Sequence, residues 1–326
     1  MKPILKNTHK YTDIKLATGI DLETAQSYGR FRMNMYEAMA GISSKKYANR
    51  WFYLPKGRAI FKSYDAQPET RSNRIVNELI CQELAKQVGI ACAEYEPAHF
   101  QGDKGLVSYD VTKDGETLLS GNELCKRMGF YNCQNSLYQY KDVLKRYCML
   151  NFKTDADQVI FDLYKIAVFD ALTFQTDRHR NNVFFIKGTD GSLRVAPLID
   201  NELSFYGKNL LFNTMLDKLY RSDLMESYVD QNKVLSVYKN ETEVDYQSYI
   251  QDVLMLAEKN QEARQIVDNI LKKMNITKAI ENVEKQGITI NDGYKEYLTK
   301  LIEVSKKQMR SQLKIMDSKN QSSLEA

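Results

Sequence analysis

The chain of 326 residues is predicted to be an α+β protein, with a β-rich N-terminal lobe and a mainly helical C-terminal lobe. Short runs of aromatic and β-branched residues, separated by turn residues, recur up to about residue 105, with one amphipathic helix among them. From Leu118 onward the apolar residues recur mainly at helical spacing. We therefore expect an N-terminal lobe over residues 1–105, and a hinge followed by the helical lobe over residues 106–326.

Composition excludes several classes of protein. Hydrophobic residues make up 43% of the chain and charged residues 27%, as in soluble globular proteins. The net charge of +4 permits phosphate binding but does not indicate stable binding to nucleic acid. No apolar run approaches the ~20 residues of a membrane span, and residues 1–16 lack the apolar core of a signal peptide. With five scattered cysteines, the sequence predicts a cytoplasmic location and argues against a disulfide framework or zinc site.

The first elements surround a basic, hydroxyl-rich loop. Residues 22–40 suit a helix, with Asp21 as its N-cap. Gly41, Ser43 and Ser44 follow directly and precede two lysines, a combination of backbone N–H groups, hydroxyls and positive charge that suits phosphate oxygens. The spacing of a Walker A loop is missing, and a flexible basic turn is an equally good interpretation of this stretch.

Two strands and one helix come next. The pattern predicts strands over residues 47–54 and 58–64, and the two-residue strand period places Ile60 and Lys62 on one face. Lys62 could reach nucleotide phosphates, although lysine is also common on edge strands. The amphipathic helix over residues 73–88 carries Glu78 near the edge of its apolar stripe. Glu78 could pair with Lys62 or remain solvated.

Two more strands are predicted next, and the rest of the chain is predicted to be mainly helical. Strands are predicted over residues 93–100 and 105–111, followed by the turn at Asp114-Gly115. The helices predicted beyond this turn span residues 121–128, 138–150, 155–174, 211–226, 243–259, 261–274, 276–285 and 292–316. The helix over residues 155–174, capped by Asp155, is apolar on most sides and is therefore expected at the centre of the fold.

A polar cluster follows this central helix. Residues 177–182 read Asp-Arg-His-Arg-Asn-Asn between two apolar flanks, and a short hairpin then leads to Asp200. The loop and the hairpin together could hold a divalent metal between Asn182 and Asp200, with Asp177 facing an incoming hydroxyl. Phosphoryl transfer requires these groups. The alternative is a solvated turn of no catalytic importance.

These motifs together resemble the HipA-like serine/threonine kinases. Residues 176–182, followed by Val-Ala-Pro-Leu-Ile-Asp at 195–200, are similar to the catalytic loop and the Pro-x-x-Asp metal motif of that family. Residues 40–45, 51–62 and 77–90 resemble its phosphate loop, the strands after it and its N-lobe helix. The resemblance covers roughly residues 38–206, and it implies a two-lobed, protein-kinase-like fold related to phosphoinositide kinases, with ATP bound between the lobes.

The resemblance also implies the contacts to ATP. Lys62, held by Glu78, would bind the α and β phosphates below the loop of Gly41, Ser43 and Ser44. Val107 and Tyr109 would offer backbone groups to adenine at the hinge, although the acidic residue often found there in the family is missing. Asp110 would lie close to the ribose.

The catalytic and metal roles follow from the same resemblance. Asp177 would orient the hydroxyl of a protein Ser or Thr substrate, and Asn182 and Asp200 would bind Mg²⁺. Ser43 and Ser44 are candidates for autophosphorylation, which would add negative charge where the ATP phosphates must sit.

Two other functions remain open from the sequence. Phosphoinositide kinases share Asp-Arg-His-x-x-Asn, but they usually continue with Asp-Phe-Gly, whereas Asn201 and Glu202 follow Asp200 here. The sequence shows no basic amphipathic helix of the membrane-binding kind, which disfavours a lipid substrate. A weakly active ATP-binding interaction module is the second alternative. It is disfavoured by the joint presence of four residues, Lys62, Asp177, Asn182 and Asp200.

Overall fold

The computed structural model describes residues 15–16, 20–21, 27–28, 51–63, 73–132, 137–151, 153–205, 233–234 and 244–324. The strands within these ranges are β1 (Lys15–Leu16), β2 (Ile20–Asp21), β3 (Ser27–Tyr28), β4 (Trp51–Leu54), β5 (Gly57–Ser63), β6 (Tyr95–Phe100), β7 (Asp103–Tyr109), β8 (Thr117–Ser120), β9 (Phe184–Lys187), β10 (Leu193–Val195), β11 (Lys233–Val234), β12 (Val244–Asp245) and β13 (Ile288–Thr289). The helices are α1 (Asn73–Val88), α2 (Gly121–Arg127), α3 (Leu137–Leu150), α4 (Ala156–Thr173), α5 (Tyr246–Lys259), α6 (Gln261–Lys273), α7 (Ile276–Glu284) and α8 (Asp292–Leu324).

The N-terminal part is a six-stranded sheet with α1 on one face. The strand order is β2-β6-β7-β5-β4-β3, with only the β2–β6 pair parallel among these neighbours. Leu106 of β7 belongs to the large core that also contains α1, whereas Phe61 and Val107 belong to a smaller cluster on the opposite face. Lys62 lies opposite Leu106 in the β5–β7 ladder. The two-residue period therefore turns Lys62 towards α1, on the face that it was predicted to share with Ile60.

The C-terminal part is organised around α4. Asp155 caps this helix by accepting hydrogen bonds from the backbone N–H groups of Asp157 and Gln158, and Phe174 ends it in the left-handed conformation. Twelve of its eighteen residues are buried. Helices α3, α5, α6 and α8 pack around it, and β8, β9 and β10 form a small antiparallel sheet beside the exit of the helix. Within the described residues, no helix is both long enough and apolar enough to span a membrane.

Most predicted elements are confirmed within a few residues of their ends, and three expectations are wrong. The last helix was predicted to end at residue 316, but α8 continues to Leu324. The other two errors concern strands. Residues 22–40 were predicted to be helical, but Ser27–Tyr28 pair with β4 as a strand. The strand β8 was not predicted at all, and it pairs along its length with β9. Both errors arise because partners distant in sequence supply the hydrogen bonds that define a strand. The predicted helix over residues 211–226 lies outside the described residues.

The predicted division at residue 105 falls inside β7, which belongs to the N-terminal sheet. Gly105 lies opposite Ser63 at one end of the β5–β7 ladder. A Cβ at Gly105 would lie 2.0 Å from the backbone carbonyl oxygen of Lys62, a distance that no packed structure accepts. The absence of a side chain at Gly105 therefore allows β7 to pack directly beside the predicted phosphate-binding lysine.

We expect Gly105→Ala to destabilise the protein by about 1–3 kcal/mol, because β5 must move to relieve the overlap with the new methyl group. Because the overlapping atom belongs to Lys62, nucleotide affinity should fall in the same variant. Denaturant unfolding and nucleotide titration check the two effects. Ala263→Gly, which removes a methyl group from a buried position on α6, is the matched control and should not weaken nucleotide binding beyond its effect on folding.

Candidate active site

The predicted lysine lies between two carboxylates. The Lys62 Nζ is 3.1 Å from Glu78 Oε1 on α1 and 3.3 Å from Asp200 Oδ1. Lys62 is 5% exposed and Glu78 is fully buried, so water screens these attractions weakly. Burial raises the pKa of Glu78, while the charge of Lys62 acts in the opposite direction. The expected Lys62–Glu78 pair is therefore present, and Asp200 joins it.

The β9–β10 hairpin and two backbone hydrogen bonds to the segment after α1 bring Asp200 to this position. After the β9–β10 hairpin, the Leu198 N–H donates to the Ala91 carbonyl, and the Leu198 carbonyl accepts from the Ala93 N–H. The chain leading to Asp200 is thus fastened to the segment between α1 and β6. Asp200 itself has a φ of +62°, which is unusual for a residue other than glycine. Its N–H donates to the Tyr95 hydroxyl oxygen over 3.2 Å, which helps to hold this conformation.

Asp177 and Asn182 lie together in the loop after α4. The Asn182 amide nitrogen donates to the Asp177 backbone carbonyl over 2.8 Å and to its Oδ2 over 3.2 Å. A further bond from the Asn182 N–H to the His179 carbonyl, at 2.7 Å, closes the turn. Since the Asn182 side-chain nitrogen is engaged by Asp177, its side-chain oxygen is the atom suited to a metal.

A buried arginine anchors this loop to α4. Arg178 is 1% exposed, and its Nε and Nη2 lie 3.2 and 3.3 Å from the two carboxylate oxygens of Asp170. Its Nη1 donates to the Ile199 carbonyl over 2.9 Å. Burial alone would lower the pKa of Arg178, but Asp170 more than offsets it and the pKa is raised. Arg178 therefore fixes both the catalytic-loop candidate and the residue before Asp200 to the central helix.

Asn201 connects this arginine to Glu78. Its Oδ1 accepts from Arg178 Nη2 over 2.6 Å, and its backbone N–H donates to Glu78 Oε2 over 2.9 Å. Gln175 makes a second connection, because its Oε1 accepts from the Asp177 N–H and its Nε2 donates to the Asp200 carbonyl. The Lys62–Glu78–Asp200 group and the Asp177–Asn182 pair are consequently parts of one hydrogen-bonded network.

A third carboxylate stands beside Glu78 and Asp200. One oxygen from each of Glu78, Asp200 and Glu202 can be chosen so that all three lie within 4.8 Å of one another. Arg74 Nη1 pairs with Glu202 Oε1 at 2.5 Å. Burial and the nearby Asp200 raise the pKa of Glu202 to about 7. Oxygen ligands at this spacing have the chemistry that Mg²⁺ prefers.

The residues predicted to contact adenine and ribose are engaged by neighbouring parts of the sheet. Val107 lies inside β7 with β5 and β6 on either side, so its backbone groups face neighbouring strands. Tyr109 ends this strand, and its N–H donates to the Glu94 carbonyl over 3.0 Å. Asp110 forms an ion pair with Arg58 at 2.5 Å. The Asp110 N–H is engaged as well, because it donates to the Arg58 carbonyl over 2.8 Å. Gly41, Ser43 and Ser44 lie outside the described residues.

The sequence did not assign roles to Asp170, Gln175, Arg178 and Asn201. One signal was available: Asp170 is a single carboxylate inside the most apolar part of α4, and a buried carboxylate requires a partner. Nothing local indicated that its partner would be Arg178, or that Asn201 would reach Glu78 from 123 positions away. Those contacts depend on the packing of segments that are remote in sequence.

The fold and the site together define a class: a mixed α+β, protein-kinase-like protein with a curled sheet, a helical part and a polar site between them. The chain belongs to the HipA-like kinase family, because the family model for the HipA-like C-terminal domain matches residues 38–278. The resemblance predicted from the sequence is thereby confirmed. No curated protein is significantly similar in sequence.

Two solved structures show the same fold. The Helicobacter pylori proinflammatory kinase CtkA is 14% identical, with a TM-score of 0.66 over 90% of this chain and 99% of that one. The length and motif pattern of this chain had predicted a likeness to this kinase. HipA of Shewanella oneidensis MR-1, solved in a toxin–antitoxin complex with HipB and operator DNA, is 16% identical, with a TM-score of 0.50 over 82% of this chain and 64% of that one.

Proposed function

We propose that the protein is an ATP- and Mg²⁺-dependent serine/threonine protein kinase. The observation that carries the proposal is the hydrogen-bonded network joining Lys62, Glu78 and Asp200 to Asp177 and Asn182. Phosphoryl transfer depends on positioning and on charge stabilisation, and this network contains a cation for phosphates, oxygen ligands for a metal and a carboxylate for the acceptor hydroxyl.

On this proposal, each residue of the network has one role. Lys62 binds phosphate oxygens, and Glu78 holds the lysine against α1. Asp177 accepts a hydrogen bond from the substrate hydroxyl and directs its oxygen towards the γ-phosphate. As the hydroxyl oxygen bonds to the γ-phosphorus, Asp177 takes up the proton, and the bond from the γ-phosphorus to the β–γ bridging oxygen breaks, so that ADP leaves. Arg178 and Asn201 act through their neighbours, and we regard them as positioning residues.

The residues present fit Mg²⁺. Asn182 and Asp200 would hold the ion through side-chain oxygens, and Glu202 supplies a further carboxylate nearby. When bound, Mg²⁺ neutralises part of the charge of the ATP phosphates. Asp200 is ion-paired with Lys62, so both side chains already occupy the region where phosphates and a metal would meet.

The acceptor is tested directly with labelled ATP. Wild-type protein is incubated with γ-labelled ATP and either a generic protein substrate or phosphoinositide vesicles, and the labelled product is hydrolysed to identify the phosphorylated residue. We expect label on serine or threonine, in the protein substrate or in the enzyme itself. Label confined to lipid would establish the lipid kinase instead, and absence of label with both acceptors would favour a nucleotide-binding interaction module.

We expect Asp200→Asn to weaken Mg-ATP binding by at least about tenfold, because one negative charge is lost from the metal site. Asparagine tolerates the left-handed backbone at this position, so the change isolates the charge. Calorimetric titration with ATP should show the loss only when Mg²⁺ is present. Asp190→Asn, at an exposed turn, is the control, and equal losses with and without Mg²⁺ would contradict the metal role of Asp200.

A further inference from the structure

The three most exposed large apolar side chains among the described residues lie at one end of the α2–α3 pair. Tyr131 is 74% exposed, Met149 76% and Leu150 66%, whereas the other prominent cases reach only 40–49%. Met149 and Leu150 end α3, and Tyr131 follows α2. The two helices meet at this point, because the Arg146 guanidinium lies 5.9 Å from the ring centre of Phe130. We call this surface the α2–α3 patch.

Basic residues surround these apolar side chains. The outward face of α3 carries the exposed residues Lys141, Asp142, Lys145 and Arg146 before it reaches Met149. Lys126 and Arg127 are exposed at the end of α2. The patch therefore combines five basic side chains of α2 and α3 with the carboxylate of Asp142, in a chain whose entire net charge is only +4, while Asp155 and Asp157 lie near its end beside Cys148. Basic residues are therefore more concentrated at this patch than the net charge of the whole chain would suggest.

We propose that the α2–α3 patch docks the protein on an anionic membrane surface. Exposed aromatic and aliphatic side chains enter the boundary between headgroups and acyl chains, while lysine and arginine beside them bind anionic headgroups. The binding is peripheral, consistent with the lack of a spanning helix in the described ranges. The inference stands independently of the kinase activity.

Shape favours a membrane over an acidic peptide as the partner. A peptide anchor requires a groove, whose lining side chains are largely covered before the peptide arrives. Tyr131, Met149 and Leu150 instead project with two-thirds or more of their surface exposed, from two adjoining elements. Exposed side chains of this kind can enter a deformable lipid layer without a preformed pocket.

Helix α2 connects the patch to the proposed active site. Helix α2 begins against the catalytic-loop candidate, where the Gly121 N–H donates to the Val183 carbonyl and the Asn122 N–H to the Arg180 carbonyl. It ends at the patch after seven residues, a length of about 10 Å. Docking would consequently hold the acceptor side of the site close to the membrane surface.

Vesicle sedimentation of the full chain without nucleotide tests the proposal. We expect binding to phosphatidylcholine vesicles that contain phosphatidylserine, little binding to phosphatidylcholine alone, and weaker binding at high salt. Lys145→Gln should lower the partition coefficient about fivefold, since one basic residue near the surface is lost. Met149→Ser combined with Leu150→Ser should lower it by about tenfold or more.

The matched controls are Lys272→Gln, at the exposed end of α6, and Met255→Ser, a partly exposed methionine on α5; both should bind like the wild type. Melting temperatures of all variants establish that each remains folded. Equal binding to neutral and anionic vesicles would overturn the proposal, as would control variants that lose as much as the patch variants. Failure to sediment with vesicles while binding polyglutamate would overturn it in favour of an acidic protein partner.

Discussion

Asp177→Ala is expected to lower the rate of phosphoryl transfer by about 100-fold to 10,000-fold, the range typical of a lost general base. ATP binding should change little, because Glu78 and Asp200 remain in place beside Lys62. Single-turnover transfer from labelled ATP measures the first quantity, and nucleotide titration measures the second. A loss of transfer with retained ATP binding is the result that distinguishes an acceptor-orienting residue from a structural one.

Asp177→Asn separates charge from packing in the same position. An asparagine oxygen can still accept the hydrogen bond from Asn182, so the loop keeps its local contact while the charge is removed. We expect this variant to be nearly as inactive as Asp177→Ala. Asp142→Ala, at an exposed position of α3, should transfer phosphate at the wild-type rate. Near-normal transfer by both Asp177 variants would contradict the catalytic role.

Arg178→Met is expected to lower the free energy of unfolding by about 3–5 kcal/mol, because the buried charge of Asp170 loses its guanidinium partner. The change also removes the donors to the Ile199 carbonyl and to Asn201. Denaturant unfolding measures the loss. At a temperature where the variant is still folded, transfer should fall more than nucleotide affinity, because the loop that carries Asp177 loses its anchor.

A surface arginine provides the comparison. Arg264 pairs with Asp268 and Asp317 at distances of 2.8–3.2 Å but remains 30% exposed, so Arg264→Met should cost no more than about 1 kcal/mol. Asp170→Leu combined with Arg178→Met removes both buried charges, and it should be less destabilising than the sum of the single changes. Additive losses would show that Asp170 and Arg178 do not stabilise one another.

Much of the architecture could be predicted because its signals are local. The amphipathic stripe of α1 and the Asp155 cap of α4 lie within single segments, and the structure has both where the sequence predicted them. The alternation in β5 was enough to place Ile60 and Lys62 on one face. The strands β3 and β8 were missed because each depends on a partner from another part of the chain.

The candidate site was predicted only in part for the same reason. Motifs identified Lys62, Glu78, Asp177, Asn182 and Asp200, and the structure joins them in one network. Their assigned roles in binding ATP and Mg²⁺ remain predictions. Sequence also gave no indication that Met149 and Leu150 would project from α3, since the same helix buries its opposite face.

The sequence by itself determined the class of fold, the family and the chemical groups available to the site, because periodicity, caps and motifs are carried by neighbouring residues. Only the tertiary structure decided that Arg178 is buried against Asp170, that Asn201 reaches Glu78 and that the α2–α3 patch is exposed. Burial and pairing are properties of the packed chain. A charged residue has the same local sequence whether packing leaves it in water or encloses it with its partner.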